Sequence, residues 1–157
     1  MISEKLREML VDQIGAEHTA AQRYLAMAAY FARQGLDGWA AFFFRQSEEE
    51  REHAMRIVRF LLDVGADLTF PAVPEAQPRF ASALEAVQKA LAWEQEVTRS
   101  FHRMAETALA EKDYTTFQFL QWFIEEQVEE EATMGKLVQI VESGVNLFQA
   151  QAALPSE

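Results

Sequence analysis

Apolar residues recur in steps of three and four along four long stretches of this chain, and each stretch is broken near its middle by a carboxylate. That step is the period of a helix face turned toward a core. The first seam reads Leu10, Ile14, Glu17, Ala21, Tyr24, Ala28, Phe31. The second reads Trp39, Phe43, Gln46, Glu50, His53, Ile57, Phe60, Val64. The third reads Leu84, Val87, Leu91, Glu94, Thr98, Phe101, Ala105, Ala108, and the fourth Leu120, Phe123, Gln127, Glu130, Met134, Leu137, Val141. A chain built this way must bury its seams against one another and must bring the interruptions along with them.

Glycines, prolines and capping residues set the helix limits. Ser3 opens a first helix that runs to about residue 34, where Gly35 stops it. Asp37 is expected to cap a second helix from about residue 38 to residue 64, ended by Gly65. Residues 66–81 hold Pro71, Pro74 and Pro78 and read as an extended crossing. Ser82 and Glu85 form a capping-box pattern for a third helix that ends near Lys112. Asp113 caps a fourth, which runs to about residue 143 before Gly144. Asn146 begins a short fifth helix. With no strand pattern, the fold class is all-α: a four-helix bundle with a long crossover between the second and third helices. Sixteen extended residues reach about 50 Å and a 28-residue helix is about 42 Å long. The crossover is therefore long enough to leave those two helices parallel.

The interruptions also match in depth. Glu17 lies 19 residues before Leu36, with Glu50 and His53 14 and 17 after it. Glu94 lies 18 residues before Lys112, with Gln127 and Glu130 15 and 18 after it. At about 1.5 Å per residue these levels agree to roughly a helical turn. Glu50 and His53 are three apart and so share a helix face from which both can reach one ion. Four buried, ionised carboxylates are prohibitively costly alone. Two divalent cations would cancel the formal charges of Glu17, Glu50, Glu94 and Glu130, and an oxygen-rich set with one imidazole suits iron or manganese. Gln46 is expected to be a hydrogen-bonded core glutamine rather than a ligand, and Tyr24, two turns past Glu17, either a core tyrosine bonded to a carboxylate or a redox-active neighbour of the metals.

Composition bounds the rest. The 157 residues suit one domain spanning 1–157, and half of them are hydrophobic. With no cysteine, thiol catalysis and thiolate metal sites are excluded. A formal charge of −11 disfavours nucleic acid and anionic membranes as partners and favours cations. The N-terminus lacks a signal-peptide pattern and no apolar run is long enough to span a membrane, so a cytoplasmic protein is expected.

With these residues the chain resembles the prokaryotic non-haem ferritins over nearly its whole length. The resemblance rests on Glu17 with Tyr24, on Glu49-Glu50-x-x-His53, on Glu94, and on Asp113-Tyr114-x-Thr116-Phe117 followed by Phe119-Leu120-Gln121-Trp122-Phe123-x-x-Glu126-Gln127-x-Glu129-Glu130-Glu131. It implies a homo-oligomeric cage of twenty-four chains that oxidises Fe(II) with dioxygen at a diiron centre and stores Fe(III) as mineral. It implies that Glu17, Glu50 and His53 bind the first iron and that Glu50 bridges to a second, held also by Glu94, with Gln127 and Glu130 on the dioxygen side. Glu49, Glu126 and Glu129 would form an outer third iron site. Arg51 stands where bacterioferritins carry a haem-binding methionine, so no haem is expected. The tail after Gly144 is short for a ferritin fifth helix, which could line a four-fold axis if it docks. The rival readings are a diiron oxidase or peroxide scavenger on the same bundle, and a non-enzymatic, metal-stabilised helical oligomer.

Overall fold

The computed structural model describes residues 1–156, which leaves only the last residue of the expected 1–157 domain outside the description. Four long helices form: α1 (Glu4–Arg33), α2 (Asp37–Asp63), α3 (Ala83–Ala110) and α4 (Tyr114–Glu142). A single turn, α5 (Leu147–Ala150), follows and runs into a 3₁₀ turn at Gln151–Ala153. There is no strand among the described residues.

The ends follow from local chemistry. The Ser3 hydroxyl accepts from the Leu6 N–H at 3.1 Å, and an Asp113 carboxylate oxygen accepts from the Thr116 N–H at 2.9 Å. Ser82 accepts from the Glu85 N–H, and Glu85 reaches back to the Ala81 N–H, one residue earlier than a standard capping box. Gly35, Gly65 and Gly144 take the positive φ values that end α1, α2 and α4. At the α3–α4 turn, that conformation falls instead on Lys112, at φ 59°. One expectation needs correction. Asp37 does not cap α2: Leu36 holds that position without a side-chain bond, and Asp37 lies in the first turn, where a negative charge still favours the helix dipole. Helix α3 also ends two residues before Lys112, because Glu111 already closes its last turn onto Thr107.

Helix α1 packs along α2, and α3 along α4, with α1 and α3 joining the two pairs. The long connection between α2 and α3 contains no regular element. It climbs the outside of α1 in register. Arg7 donates to the Asp67 carbonyl at 3.3 Å, Pro71 lies against Gly15, and the Phe80 ring meets Tyr30 edge-on at 5.5 Å. Since the connection runs from the start of α1 to its end, α3 begins beside the end of α1 and runs parallel to α2.

The core is in two parts. One apolar cluster includes Tyr24, Phe31, Trp39, Phe43, Val87 and Met134. The other includes Leu6, Ile14, Ile57, Phe101, Leu120 and Phe123. On every long helix the residues of one cluster precede the polar interruption and those of the other follow it. The polar level is thus a layer across the bundle between two apolar halves. The tail docks against the start of α2: the Trp39 indole N–H donates to the Leu147 carbonyl at 2.9 Å and the Gly38 N–H to Gln151 Oε1 at 2.5 Å.

Gly15 is where the crossover seats, because a Cβ there would lie 2.8 Å from Pro71 Cβ. Gly15→Ala gains about 1 kcal/mol in helix propensity but overpacks this contact at about 1–3 kcal/mol. Denaturant unfolding should therefore show a net loss of about 1 kcal/mol. A more stable variant would mean that the connection does not sit on α1.

Candidate metal centre

The polar layer gathers all six expected residues. Glu17 and Glu94 are fully buried, and Glu50, His53, Gln127 and Glu130 are each at most 5% exposed. One helix supplies Glu17, another Glu50 and His53, a third Glu94, and the fourth Gln127 and Glu130. The Glu-x-x-His spacing brings the two side chains together: His53 Nδ1 lies 3.1 Å from Glu50 Oε2 and 3.8 Å from Glu17 Oε2.

Ligand-type atoms of Glu17, Glu50 and His53 all lie within 4.8 Å of one another, and so do those of Glu50, Glu94 and Glu130. Glu50 belongs to both groups. Two oxygens, Glu17 Oε2 and Glu94 Oε2, are buried without any hydrogen-bond partner. Buried oxygens of this kind are expensive unless something positive sits against them. The donor set, carboxylates with one imidazole, suits iron or manganese.

Electrostatics in the metal-free chain point the same way. Burial, reinforced by the Glu17 charge, pushes the Glu50 carboxyl up to about 8. Burial and the charges of Glu94 and Glu50 push Glu130 up to about 10. Glu94 is raised well above the usual carboxylate range by burial and then by Glu50. Burial alone would lower the His53 imidazole, but its contacts with Glu17 and Glu50 outweigh that and raise it to about 11. Without metal, then, the layer holds protons tightly in place of cations.

The surroundings are equally ordered. Tyr24 donates its hydroxyl to Glu94 Oε1 at 3.2 Å, and burial followed by the Glu94 charge keeps that phenol protonated far above its ordinary range. The amide nitrogen of Gln127 donates to the Glu94 carbonyl at 3.2 Å and to the Thr98 hydroxyl at 3.3 Å. Only its carbonyl oxygen is left to face a metal. Gln46 is a buried, hydrogen-bonded core residue, as expected, donating to Glu50 and Glu130. Gln13 was not anticipated. It is buried and donates to Glu17 Oε1 at 3.1 Å. Its signal in the sequence is the Gln-x-x-x-Glu spacing shared by Gln13–Glu17 and Gln46–Glu50.

The three outer carboxylates are brought to one groove. Glu49, Glu126 and Glu129 line a cavity of about 140 Å³ together with Gln46 and Glu130, at the edge of the polar layer. Glu126 is half-buried and forms a third close group with His53 and Glu130. Glu49 and Glu129 are exposed and join none of these close groups among the described residues. His18 is half-buried and His102 exposed, and neither enters the layer.

A family model for the ferritin-like domain matches residues 7–143. The chain belongs to the ferritin-like family. Among bacterial non-heme ferritins, that of Staphylococcus aureus (strain MRSA252) is 46% identical over 132 residues, covering 84% of this chain and 80% of its own. That of Staphylococcus haemolyticus is 44% identical over 133 residues, covering 85% and 80%. In structure, an open-pore ferritin of the hyperthermophilic archaeon Archaeoglobus fulgidus superposes with a TM-score of 0.96 at 36% identity, covering 100% of this chain and 99% of its own. A humanized archaeal ferritin gives 0.95 at 35% identity, with the same coverage. The all-helical ferritin-like fold and the resemblance read from the sequence are both borne out.

A proton–metal exchange follows. Glu50 and Glu130 bind protons more tightly folded than their ordinary 4.5, so their contribution favours the fold at acidic pH and is lost as pH rises through about 8 and about 10. His53 acts in the same direction, its contribution lost as pH rises from 6.5 through about 11. The metal-free protein should therefore melt at a lower temperature at about pH 9 than at about pH 6, and saturating Zn(II) should remove most of that difference. A metal-free midpoint that stays flat over this interval would contradict the protonated layer.

Proposed function

We propose that this chain is the subunit of an iron-storage ferritin whose buried layer is a ferroxidase centre. Glu17, Glu50 and His53 hold one Fe(II); Glu94 and Glu130 hold a second, with the carbonyl oxygen of Gln127 beside it; Glu50 serves both. The membership of Glu50 in both ligand groups is the observation that carries this reading. The unpartnered oxygens of Glu17 and Glu94, one in each group, support it.

The iron supplies the redox chemistry: two Fe(II) each give one electron to dioxygen. The chain supplies the rest. Its four helices hold the carboxylates at fixed separations, so that two ions are bound side by side. The carboxylates balance the charge of the ions, which requires that the protons held by Glu50, Glu130 and His53 leave as iron enters. Tyr24 keeps its proton and fixes one Glu94 oxygen. The groove of Glu49, Glu126 and Glu129 is the outer, weaker iron site, through which Fe(III) moves toward a mineral. The full protein is a homo-oligomeric cage, of twenty-four chains as in the ferritins it resembles, built from single-domain subunits. It works in the cytoplasm, with Fe(II) and dioxygen as its small-molecule partners.

Dioxygen uptake on adding two Fe(II) per chain to the metal-free protein tests the reading. The parent should consume dioxygen well above the buffer rate, and His53→Ala should slow this by about 10²-fold or more while the helices stay folded. Uptake at the buffer rate by the parent, or an undiminished rate in His53→Ala, would falsify the ferroxidase assignment.

A further inference from the structure

Two buried glutamines stand one turn before two of the ligand glutamates. Gln13 precedes Glu17 by four residues on α1, and Gln46 precedes Glu50 by four on α2. Both are 4% exposed, a burial uncommon for an amide side chain without partners. In each pair the amide nitrogen donates to Oε1 of the glutamate, at 3.1 Å for Gln13 and 3.2 Å for Gln46. The other oxygen, Oε2, is the one that faces His53 in both. Gln46 does more: the same nitrogen lies 2.5 Å from Glu130 Oε2 on α4. Its two N–H hydrogens can thus serve two carboxylates at once. Once ions replace the protons of the layer the carboxylates only accept, so an amide nitrogen is the group that suits each of them.

We infer that Gln13 and Gln46 are positioning residues with separate duties: Gln13 orients the carboxylate of the first iron position, and Gln46 ties together the two carboxylates, Glu50 and Glu130, of the second. Each occupies one carboxylate oxygen with an N–H and leaves the other aimed at the metal. Neither touches the iron. Gln13 serves Glu17 alone, a member of the first ligand group only. Gln46 serves one residue shared by both groups and one that is absent from the first. Loss of either must therefore weaken the two positions unequally, which general loosening of the bundle would not do. The inference rests on the ferroxidase reading for the identity of the two positions.

The test uses the assembled protein, stripped of metal, as Gln13→Met and Gln46→Met; methionine keeps length and helix propensity and removes the donors. Crystals are soaked in graded Zn(II), and the occupancy of each position is read from anomalous scattering. Gln13→Met should raise the Zn(II) needed to half-fill the Glu17–Glu50–His53 position by about tenfold to a hundredfold, leaving the Glu50–Glu94–Glu130 position unchanged. Gln46→Met should raise it at the Glu50–Glu94–Glu130 position by a similar factor, and less at the first. Gln13→Ala and Gln46→Ala lose the same donors and must give the same division, which covers a methionine variant that fails to fold. Equal shifts at both positions in each variant, or no shift in either, overturn the inference while the parent's two filled positions keep the functional reading intact. A parent that fills neither position overturns both.

Discussion

Four carboxylates buried at one level of a helical bundle are the constraint on which the rest of this structure depends. Each would cost several kcal/mol to desolvate as an isolated ion, and two of their oxygens have no partner in the chain. The fold tolerates them because apolar packing is placed on both sides. The Tyr24–Phe31–Trp39–Phe43 cluster lies on one side and the Leu6–Ile14–Ile57–Phe101 cluster on the other. These two clusters hold the helices together, so the polar layer need not contribute to stability. It can be kept in a state that favours cations.

Electrostatics then couples the layer to its contents. The raised Glu50, Glu94, Glu130 and His53 values share one origin: negative charge enclosed away from water. Protons or divalent ions can each relieve it, and the unpartnered oxygens of Glu17 and Glu94 are open to either. The surrounding donors do not neutralise anything. Tyr24, Gln13, Gln46 and Gln127 set direction, each holding one carboxylate or carbonyl so that the remaining ligand atoms converge. The long crossover belongs to the same design. By climbing α1 from Arg7 to Tyr30 it makes α3 parallel to α2, and this brings Glu94 level with Glu50.

Much of this was legible in the sequence. The helical period is strict, so the in-seam positions of Glu17, Glu50, His53, Glu94, Gln127 and Glu130 translated directly into burial. Counting residues from the turns predicted their common depth, because rise per residue in a helix is nearly constant. What the sequence hid was local or outward-facing. Asp37 looked like a cap, yet the helix begins one residue earlier and leaves Leu36 at that position, which a side-chain rule cannot foresee. Gln13 escaped because its value lies in a hydrogen bond to the next turn, not in a break of the seam. The outer trio divided on exposure: Glu126 turns inward enough to form a close group with His53 and Glu130, while the more exposed Glu49 and Glu129 line the groove without joining one of these groups. Side-chain orientation at a helix rim is decided by neighbours, and spacing carries little of it.

Anaerobic titration calorimetry of the metal-free protein with Fe(II), beside Glu50→Ala, bears most directly on whether the layer is a two-ion site built around one shared carboxylate. The parent should bind two Fe(II) per chain tightly, and Glu50→Ala should lose high-affinity binding at both positions, since Glu50 stands in both ligand groups. Two tight ions retained by Glu50→Ala, or none bound by the parent, would contradict it.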